Sequence, residues 1–287
     1  MMTVQTILIR LGAVSLGSSQ FTFAMVVAVF VLCIALGALA VSAIRRIRGR
    51  VLVANLWALL VLLAALYVLL DGAPYGAHVL RSFFRDQAGS FYAYQMAVFL
   101  SLLVILAPPV VLSGATLPLM FNVLRGEPDA LGQAAGRLYS WNTLGSLLGA
   151  LIGGYAVLYW LDLHHAFRLA LGALAVAAVL VSIRIGGVQK GAGAGLLATT
   201  AIAIALLGSW SPHQLASGVF RMRRPIAQTY AGTEAFFSAY RSDPIVFYDD
   251  GPNSSVAVKR RVGPGGDIET ALVVNGKGDG SLVHDFV

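Results

Sequence analysis

The sequence predicts a bundle of about six transmembrane α-helices followed by a short polar segment of antiparallel β-strands. Only 11% of the residues are charged, whereas soluble domains carry about 25%. Uncharged apolar runs of helical, membrane-crossing length recur along residues 1–210. Beyond them, the runs become short and β-branched and are separated by Asp-Gly and Asn-Gly pairs, which is typical of strands and hairpins.

Each predicted span is close to the length of about 20 residues that crosses about 30 Å of hydrocarbon. The spans are 21–44, 51–70, 95–119, 138–161, 166–183 and 191–210. Residues 4–19 are apolar but are interrupted by Arg10, and they are too short to span alone. We interpret them as the last half of a helix whose start is absent.

The positive charge predicts the orientation of the bundle. Residues 1–210 carry 12 Lys and Arg against 5 Asp and Glu, whereas residues 211–287 carry 8 of each. Cytoplasmic loops of membrane bundles are rich in Lys and Arg, which explains the basic character better than nucleic-acid binding does. We therefore expect a multi-pass protein of the cell (inner) membrane with loop 45–50 in the cytoplasm. Alternation of the spans then places loops 71–94 and 162–165, and the chain after residue 210, outside.

Two sets of residues in the spans indicate how the helices pack. Gly145, Gly149 and Gly153 recur every four residues, a spacing that lets two membrane helices approach closely. Both static packing and a mobile interface of a transporter fit that spacing, and static packing is the favoured interpretation. In the third span, Pro108, Pro109 and Pro118 each remove a backbone donor and predict helix kinks.

The spans offer little chemistry. No Asp, Glu, Lys or Arg lies at the centre of a complete span, which disfavours an ion-coupled carrier. Asp162, His164 and His165 share a short loop, but adjacent His side chains are expected to point in different directions, so we predict no metal site. Cys33 is the only cysteine, and we expect it to be a small side chain within the bundle.

The composition divides the chain into three parts. Residues 1–210 form the helical bundle, 211–241 a linker, and 242–287 an incomplete β-rich segment with three short antiparallel strands. Three strands without a helix bury little apolar surface, so this segment is expected to need further structure to complete it.

Motifs in both parts resemble one bacterial family. The first two are Ser113-Gly-Ala-Thr-Leu-Pro-Leu119 and Gly136-Arg-Leu-Tyr-Ser-Trp-Asn-Thr-Leu-Gly145. They are similar to the membrane half of fused major-facilitator/spermidine-synthase-like proteins, and so is Leu16-Gly-Ser-Ser19 running into Gly37. The stretches Phe247–Val258 and Leu272–Asp285 resemble the opening strands of the spermidine synthase module.

The resemblance implies a partial major-facilitator-like bundle and a link to polyamine biosynthesis. Family members transfer an aminopropyl group from decarboxylated S-adenosylmethionine, which binds in a Rossmann-like domain after these strands. We expect no catalytic, cofactor-binding or metal-binding residues in this chain, and no cofactor bound by it alone. Within the module, the residues that resemble polyamine-site contacts are Asn275, Lys277, Asp279 and Asp285.

Three functions remain open at this stage. The first is a membrane-anchored, spermidine-synthase-like N-terminal portion that is inactive alone, whose partners are the lipid bilayer and either a separately encoded catalytic domain or further copies of itself. The second is a transporter-type bundle for polyamines or another small solute. The third is an inactive split-gene product. None of the three involves nucleic acid.

Overall fold

A computed structural model describes residues 1–44, 47–84, 88–124, 131–238, 244–262 and 268–282. Within these ranges the chain is mostly helical, with a small β-sheet near its C-terminus. The α-helices of the described chain are α1 (Met2–Leu16), α2 (Gln20–Ser42), α3 (Gly49–Leu70), α4 (Ala73–Ser82), α5 (Phe91–Leu124), α6 (Leu131–Leu148), α7 (Leu163–Arg184), α8 (Lys190–Ala205), α9 (Pro212–Leu215) and α10 (Thr233–Ser238).

Within the described residues, five helical segments are long and apolar enough to cross a membrane: α2, α3, α5, a segment from Gly132 to Tyr159 that contains α6, and α7. Many of their large apolar side chains are exposed, including Leu39, Val61 and Val104. Soluble proteins rarely expose so much apolar surface, so hydrocarbon is the solvent that suits it. The predicted multi-pass helical bundle is thus confirmed in outline.

Two apolar helices are shorter than a full span. The structure folds Met2–Leu16 as α1, with Val4, Ile7 and Leu11 almost fully buried in the main core. The predicted sixth span, 191–210, contains the 16-residue helix α8, which is about 24 Å long at 1.5 Å per residue. The structure therefore supports five spans by length and leaves the sixth as a short, peripheral helix packed on α7.

The ends of the helices define two faces of the bundle. The indole Nε1 of Trp210, beyond α8, donates to the carbonyl of Tyr67 near the end of α3, over 3.0 Å. The backbone N–H of Ser211 donates to Asp71, which caps α3. We call this end of the bundle the sheet face, because the β-sheet also contacts it. The C-terminal end of α2 and the start of α3 lie at the other end of the bundle, because α3 runs toward the sheet face and α2 runs away from it.

The closest helix pair in the core is α2 and α5. A Cβ atom at Gly114 of α5 would lie 2.6 Å from the Cα of Ile34, and one at Gly37 of α2 would lie 2.9 Å from the backbone nitrogen of Ala115. Real Cβ atoms do not approach backbone this closely, so glycine at both positions permits the contact. Backbone-to-backbone packing of this kind stabilises membrane helices, for which lipid offers no hydrophobic driving force.

Four antiparallel strands form the sheet: β1 (Ile245–Asp250), β2 (Ser255–Val262), β3 (Ile268–Val274) and β4 (Lys277–Ser281), in the order β1-β2-β3-β4. The antiparallel sheet after the bundle is confirmed, with one strand more than the three predicted. Asn275 (φ 49°) and Gly276 (φ 77°) form the tight turn between β3 and β4, where positive φ at both positions suits an Asn-Gly pair. Residues 263–267, between β2 and β3, lie outside the described residues.

Candidate functional site: the junction between bundle and sheet

Asp250, the last residue of β1, lies at the centre of the contact between the sheet and the bundle. It is 2% exposed. Its carboxyl group accepts hydrogen bonds from the hydroxyls of Tyr248 and Ser255 and, over 3.3 Å, from the backbone N–H of Leu163. Leu163 is the first residue of α7, so the carboxyl group satisfies one of the free N–H groups at that helix start. We call these residues, together with Arg10, the Asp250 junction.

Arg10 joins the junction from α1. Its guanidinium donates to the carbonyl of Gly251 and, over 3.4 Å, to the Ser255 hydroxyl. The side chain is half-buried, and the nearby negative charge of Asp250 offsets the cost of removing the guanidinium from water. The residue that interrupts the first apolar run in the sequence is thus the one that binds the sheet.

The electrostatics of the junction suit attachment better than catalysis. Burial raises the pKa of Tyr248 above its usual 10, and the neighbouring charge of Asp250 adds to the shift. The phenol therefore stays protonated and donates to Asp250 at any physiological pH. Because this carboxyl group already accepts three hydrogen bonds, it is poorly placed to act as a general base.

The linker adds a second contact between the sheet and the bundle. Phe220 lies in a short 3₁₀ turn, Val219–Arg221. A Cβ atom at Gly17, between α1 and α2, would lie 3.1 Å from the Phe220 ring, and one at Gly276, in the β3–β4 turn, would lie 3.2 Å from it. The ring of Phe220 thus lies between the start of α2 and the hairpin turn of the sheet.

The linker also binds α4. The hydroxyl of Tyr75 donates to the carbonyl of Thr229 over 3.0 Å, and the Nε2 atom of His78 lies 3.0 Å from the Thr229 hydroxyl. The His78 ring stacks at 4.8 Å on Phe236 of α10 and is 1% exposed. Burial lowers the pKa of His78 below its usual 6.5, so the imidazole is neutral at pH 7.

The residues predicted as polyamine-module contacts have separate positions in the sheet. Asn275 lies in the β3–β4 turn, where its side-chain oxygen accepts from the backbone N–H of Ser255 over 3.0 Å. Lys277 and Asp279 form an exposed ion pair of 3.4 Å on the edge strand β4. Asp285 lies outside the described residues. The structure thus brings Asn275 to the Asp250 junction through Ser255, and Lys277 and Asp279 together at the sheet edge.

The three glycines predicted to pack a helix differ in their surroundings. A Cβ atom at Gly149 would lie 3.5 Å from Thr3 of α1, and one at Gly153 would clash with that side chain, whereas one at Gly145 would meet no described atom within 4 Å. Residues Gly149–Gly153 form a π-helical turn rather than a continuation of α6, and the Thr3 hydroxyl donates to the carbonyl of Gly149 over 2.8 Å.

The three prolines predicted to kink the third span lie inside one 34-residue helix, α5, which continues past Pro108, Pro109 and Pro118. Asn55 of α3 donates to the carbonyl of Leu112 over 3.1 Å and to the hydroxyl of Thr116 over 3.0 Å. A polar side chain from a neighbouring helix thus binds the backbone of the proline-containing segment. Pairing of this kind is what allows proline within membrane helices.

A polar network near the sheet face was not foreseen from the sequence. Arg168, in the first turns of α7, donates through Nε to the Tyr67 hydroxyl over 3.1 Å and through a terminal nitrogen to the carbonyl of Leu207. The Tyr67 hydroxyl in turn donates to the carbonyl of Gly208 over 2.7 Å. This network satisfies carbonyls at the C-terminal end of α8 and joins that end to α3 and α7. The available signal was the presence of a charged residue, Arg168, within the predicted span 166–183.

Asp162, His164 and His165 come together more closely than the sequence suggested. Their ligand atoms all lie within 4.8 Å of one another, and the two adjacent imidazole rings stack with centroids 3.9 Å apart. Ligands of one tetrahedral zinc ion lie about 3.4 Å apart. The group is partly exposed. We assign it no metal, and the absence of a metal site stays a prediction.

Comparisons of this chain with protein-family models, with curated proteins and with solved structures find no match.

Proposed function

We propose that this chain is the membrane-anchored N-terminal part of a spermidine-synthase-like protein. The helical bundle would anchor the assembly in the membrane, and the sheet would form the opening strands of the synthase module. A Rossmann-like domain packed on that sheet would bind decarboxylated S-adenosylmethionine and transfer the aminopropyl group. The motifs Gly136–Gly145 and Phe247–Val258 support this proposal through their resemblance to the family.

The observation that carries the proposal is the apolar outer face of the sheet. Phe247, Val258 and Leu272 are aligned across three strands, and Phe247 and Leu272 are 52% and 41% exposed. Val256 and Val274 are paired beside them. Antiparallel sheets usually have one packed face and one polar face, so a second apolar face favours a further domain packed on it.

The inner face of the sheet supports the same proposal. Ala257 and Val273 are buried there with Ala216 of the linker, and the Asp250 junction fixes β1 to α1 and α7. A sheet fixed in this way presents its apolar outer face at a constant position relative to the bundle. This is the arrangement that a membrane anchor for a catalytic domain requires.

The test is reconstitution of aminopropyl transfer. The purified 287-residue chain, given putrescine and decarboxylated S-adenosylmethionine, is expected to form no spermidine. Together with a Rossmann-like synthase domain, the chain is expected to form spermidine and to co-purify with that domain. Detectable spermidine from the chain alone would contradict the proposal that the bundle and sheet anchor the assembly while the Rossmann-like domain transfers the aminopropyl group.

A matched pair of variants tests the surface itself. Phe247→Asp places a charge in the apolar face, and we expect at least about tenfold weaker co-purification, the effect of about 1.4 kcal/mol. Tyr230→Asp places the same charge at an exposed aromatic residue of the linker, whose hydroxyl lies beside Ser82 of α4 rather than on that face, so co-purification should be unchanged. Equal co-purification of the two variants would refute the role of the face.

Transport of polyamines is less well supported. A cavity of about 550 Å³ lies between the helices, but among the described residues that line it none is charged. Organic cations are bound by carboxylates or aromatic faces, and this lining offers Phe83 alone of the aromatics. We expect no uptake of labelled putrescine into proteoliposomes, and saturable uptake would favour the transporter.

A further inference from the structure

The cavity of about 550 Å³ lies on the sheet-face half of the bundle, under α4. Its walls are formed by α1, α3 and α5, with Val26 from α2. Along α5 the lining runs from Val98 to Leu106, which corresponds to about 12 Å of helix. The space thus extends from the end of α3 toward the middle of the bundle.

The walls are almost entirely hydrocarbon. Leu8, Leu11, Leu66 and Leu102 are typical of the lining, and its only hydroxyls belong to Ser15 and Ser101. Ser101 donates to the carbonyl of Ala97 over 2.8 Å, so its hydrogen-bonding capacity is used within α5. The cavity therefore suits an apolar chain rather than a sugar, an amine or a nucleotide.

Ser15 is the exception in this lining. Its side chain is 5% exposed, and its Oγ atom has no hydrogen-bond partner among the described residues. A buried hydroxyl without a partner costs about 1–3 kcal/mol, so a ligand that accepts its proton would be stabilised. The cavity thus offers one polar contact in an otherwise apolar site.

The position of Ser15 identifies the kind of acceptor. It lies two residues before Gly17, which contacts the linker residue Phe220, and α2 begins at Gln20. Ser15 is therefore at the sheet-face boundary of the bundle, while Leu106 lies deeper. In a bilayer, the ester carbonyls of phospholipids occupy this boundary and their acyl chains extend inward from it.

The roof of the cavity has room for a chain to enter. Ala73, Gly76 and Ala77 of α4 line it, and a Cβ atom at Gly76 would meet no described atom within 4 Å. Tyr75 and His78, on the same helix, are hydrogen-bonded to Thr229 of the linker. The small residues therefore leave open space beside α4, and the hydrogen bonds to Thr229 hold this helix in place.

We propose that this cavity binds one acyl chain of a membrane phospholipid, whose ester carbonyl accepts a hydrogen bond from the Ser15 hydroxyl. The bilayer supplies the ligand at high local concentration, and the apolar walls match its chain. This inference does not depend on the proposed catalytic partner.

The test compares bound lipid by native mass spectrometry after purification in a mild detergent with dioleoyl phosphatidylglycerol. Wild-type protein should retain one lipid that Gly76→Leu loses, because the added side chain fills the opening. Gly136→Leu is the matched control, since a Cβ atom there also meets no described atom within 4 Å, but Gly136 lies on α6, away from the cavity. Equal lipid retention by the two variants would overturn the proposal.

A second comparison needs no cavity-filling variant. The dialkyl ether analogue of the same lipid has no ester carbonyl, so wild-type protein should retain the diester about fivefold better, as expected for one hydrogen bond. Ser15→Ala should abolish this preference while still binding both lipids. Equal retention of ester and ether lipids by the wild-type protein would overturn the assignment of Ser15.

Discussion

Two glycines, Gly37 and Gly114, determine how closely α2 and α5 approach. A side chain at either position would meet backbone atoms of the opposite helix. The sequence drew attention to Gly145, Gly149 and Gly153 because of their regular spacing, yet a Cβ atom at Gly145 would meet no described atom. Spacing along one helix cannot identify which glycines face another helix, because that depends on how the two are rotated and aligned.

We expect Gly114→Ala to destabilise the bundle by roughly 1–3 kcal/mol, since the added methyl group would separate α2 and α5. Gly145→Ala is the control and should be neutral or slightly stabilising, because alanine favours helix more than glycine does. Thermal unfolding in detergent micelles measures both. A lower midpoint for Gly145→Ala than for Gly114→Ala would contradict the packing described.

His78 makes the contact between α4 and the linker dependent on pH. Its pKa is lowered by burial in the folded protein, so the unfolded chain binds a proton more readily. The stability that neutral His78 contributes is therefore present above pH 6.5 and is lost as the pH falls below it. The ring faces Thr229, Phe236 and the backbone of Met222, whose hydrogen bond to His78 partly opposes the lowering of its pKa by burial.

Hydrogen exchange of α4 should accordingly become faster between pH 7.5 and pH 5.5, after correction for the intrinsic exchange rate. His78→Gln does not titrate and should remove most of this change. The interpretation fails if corrected exchange is the same at both pH values, or if the variant retains the full dependence.

At the scale of elements, the sequence predicted most accurately those spans that are single uninterrupted helices, because length and hydropathy suffice to identify them. The predicted 21–44 and 51–70 correspond to Gln20–Ser42 and Gly49–Leu70. The fourth span was more difficult, since α6 ends at Leu148 and is followed by a π-helical turn and a 3₁₀ turn. The π-helical turn begins at Gly149, whose carbonyl accepts a hydrogen bond from Thr3 of α1. A contact between residues so far apart in the chain cannot be predicted from local sequence.

The fourth strand was missed for a related reason. Lys277–Ser281 reads Lys-Gly-Asp-Gly-Ser, a composition with little β propensity. It pairs with β3 because the Asn275-Gly276 turn directs the chain back along that strand. The Asn-Gly turn can be recognised in the sequence, whereas β4 forms only because β3 lies beside it and pairs with it.

The Asp250 junction could not be found from the sequence, because Arg10 and Gly251 are 241 positions apart. Asp250 precedes Gly251, a pair typical of turns, yet Asp250 is buried against α7. A buried carboxyl group with its donors on two other elements is a tertiary feature, and only the folded chain reveals it.

We expect Asp250→Asn to weaken attachment of the sheet by roughly 3 kcal/mol, because Arg10 loses the charge that offsets its burial. Asp249→Asn is the matched control, since Asp249 is the adjacent, exposed residue of β1 and its charge acts on Arg10 less than that of Asp250 does. Hydrogen exchange over residues 255–262 should rise sharply in the first variant only. Similar exchange in both variants would show that the junction does not hold the sheet.

At the scale of the whole molecule, the sheet and the start of α3 lie at opposite ends of the bundle. The sheet contacts the start of α7 directly and reaches the start of α2 through Phe220 of the linker, whereas Arg48 precedes α3 at the other end. This arrangement requires α8, although short, to return the chain to the sheet face, where the Arg168 network binds its C-terminal end. The positive charges near Arg48 predict that the end of the bundle opposite the sheet, where Arg48 lies, is cytoplasmic.

The most direct test of this account is two-sided cysteine labelling in sealed membrane vesicles. Arg48→Cys and Lys277→Cys are introduced separately in a Cys33→Ala background and treated with a maleimide that cannot cross the membrane. We predict that the two positions react from opposite sides, with Arg48→Cys accessible only from the cytoplasmic side. Labelling of both positions from the same side would contradict the account.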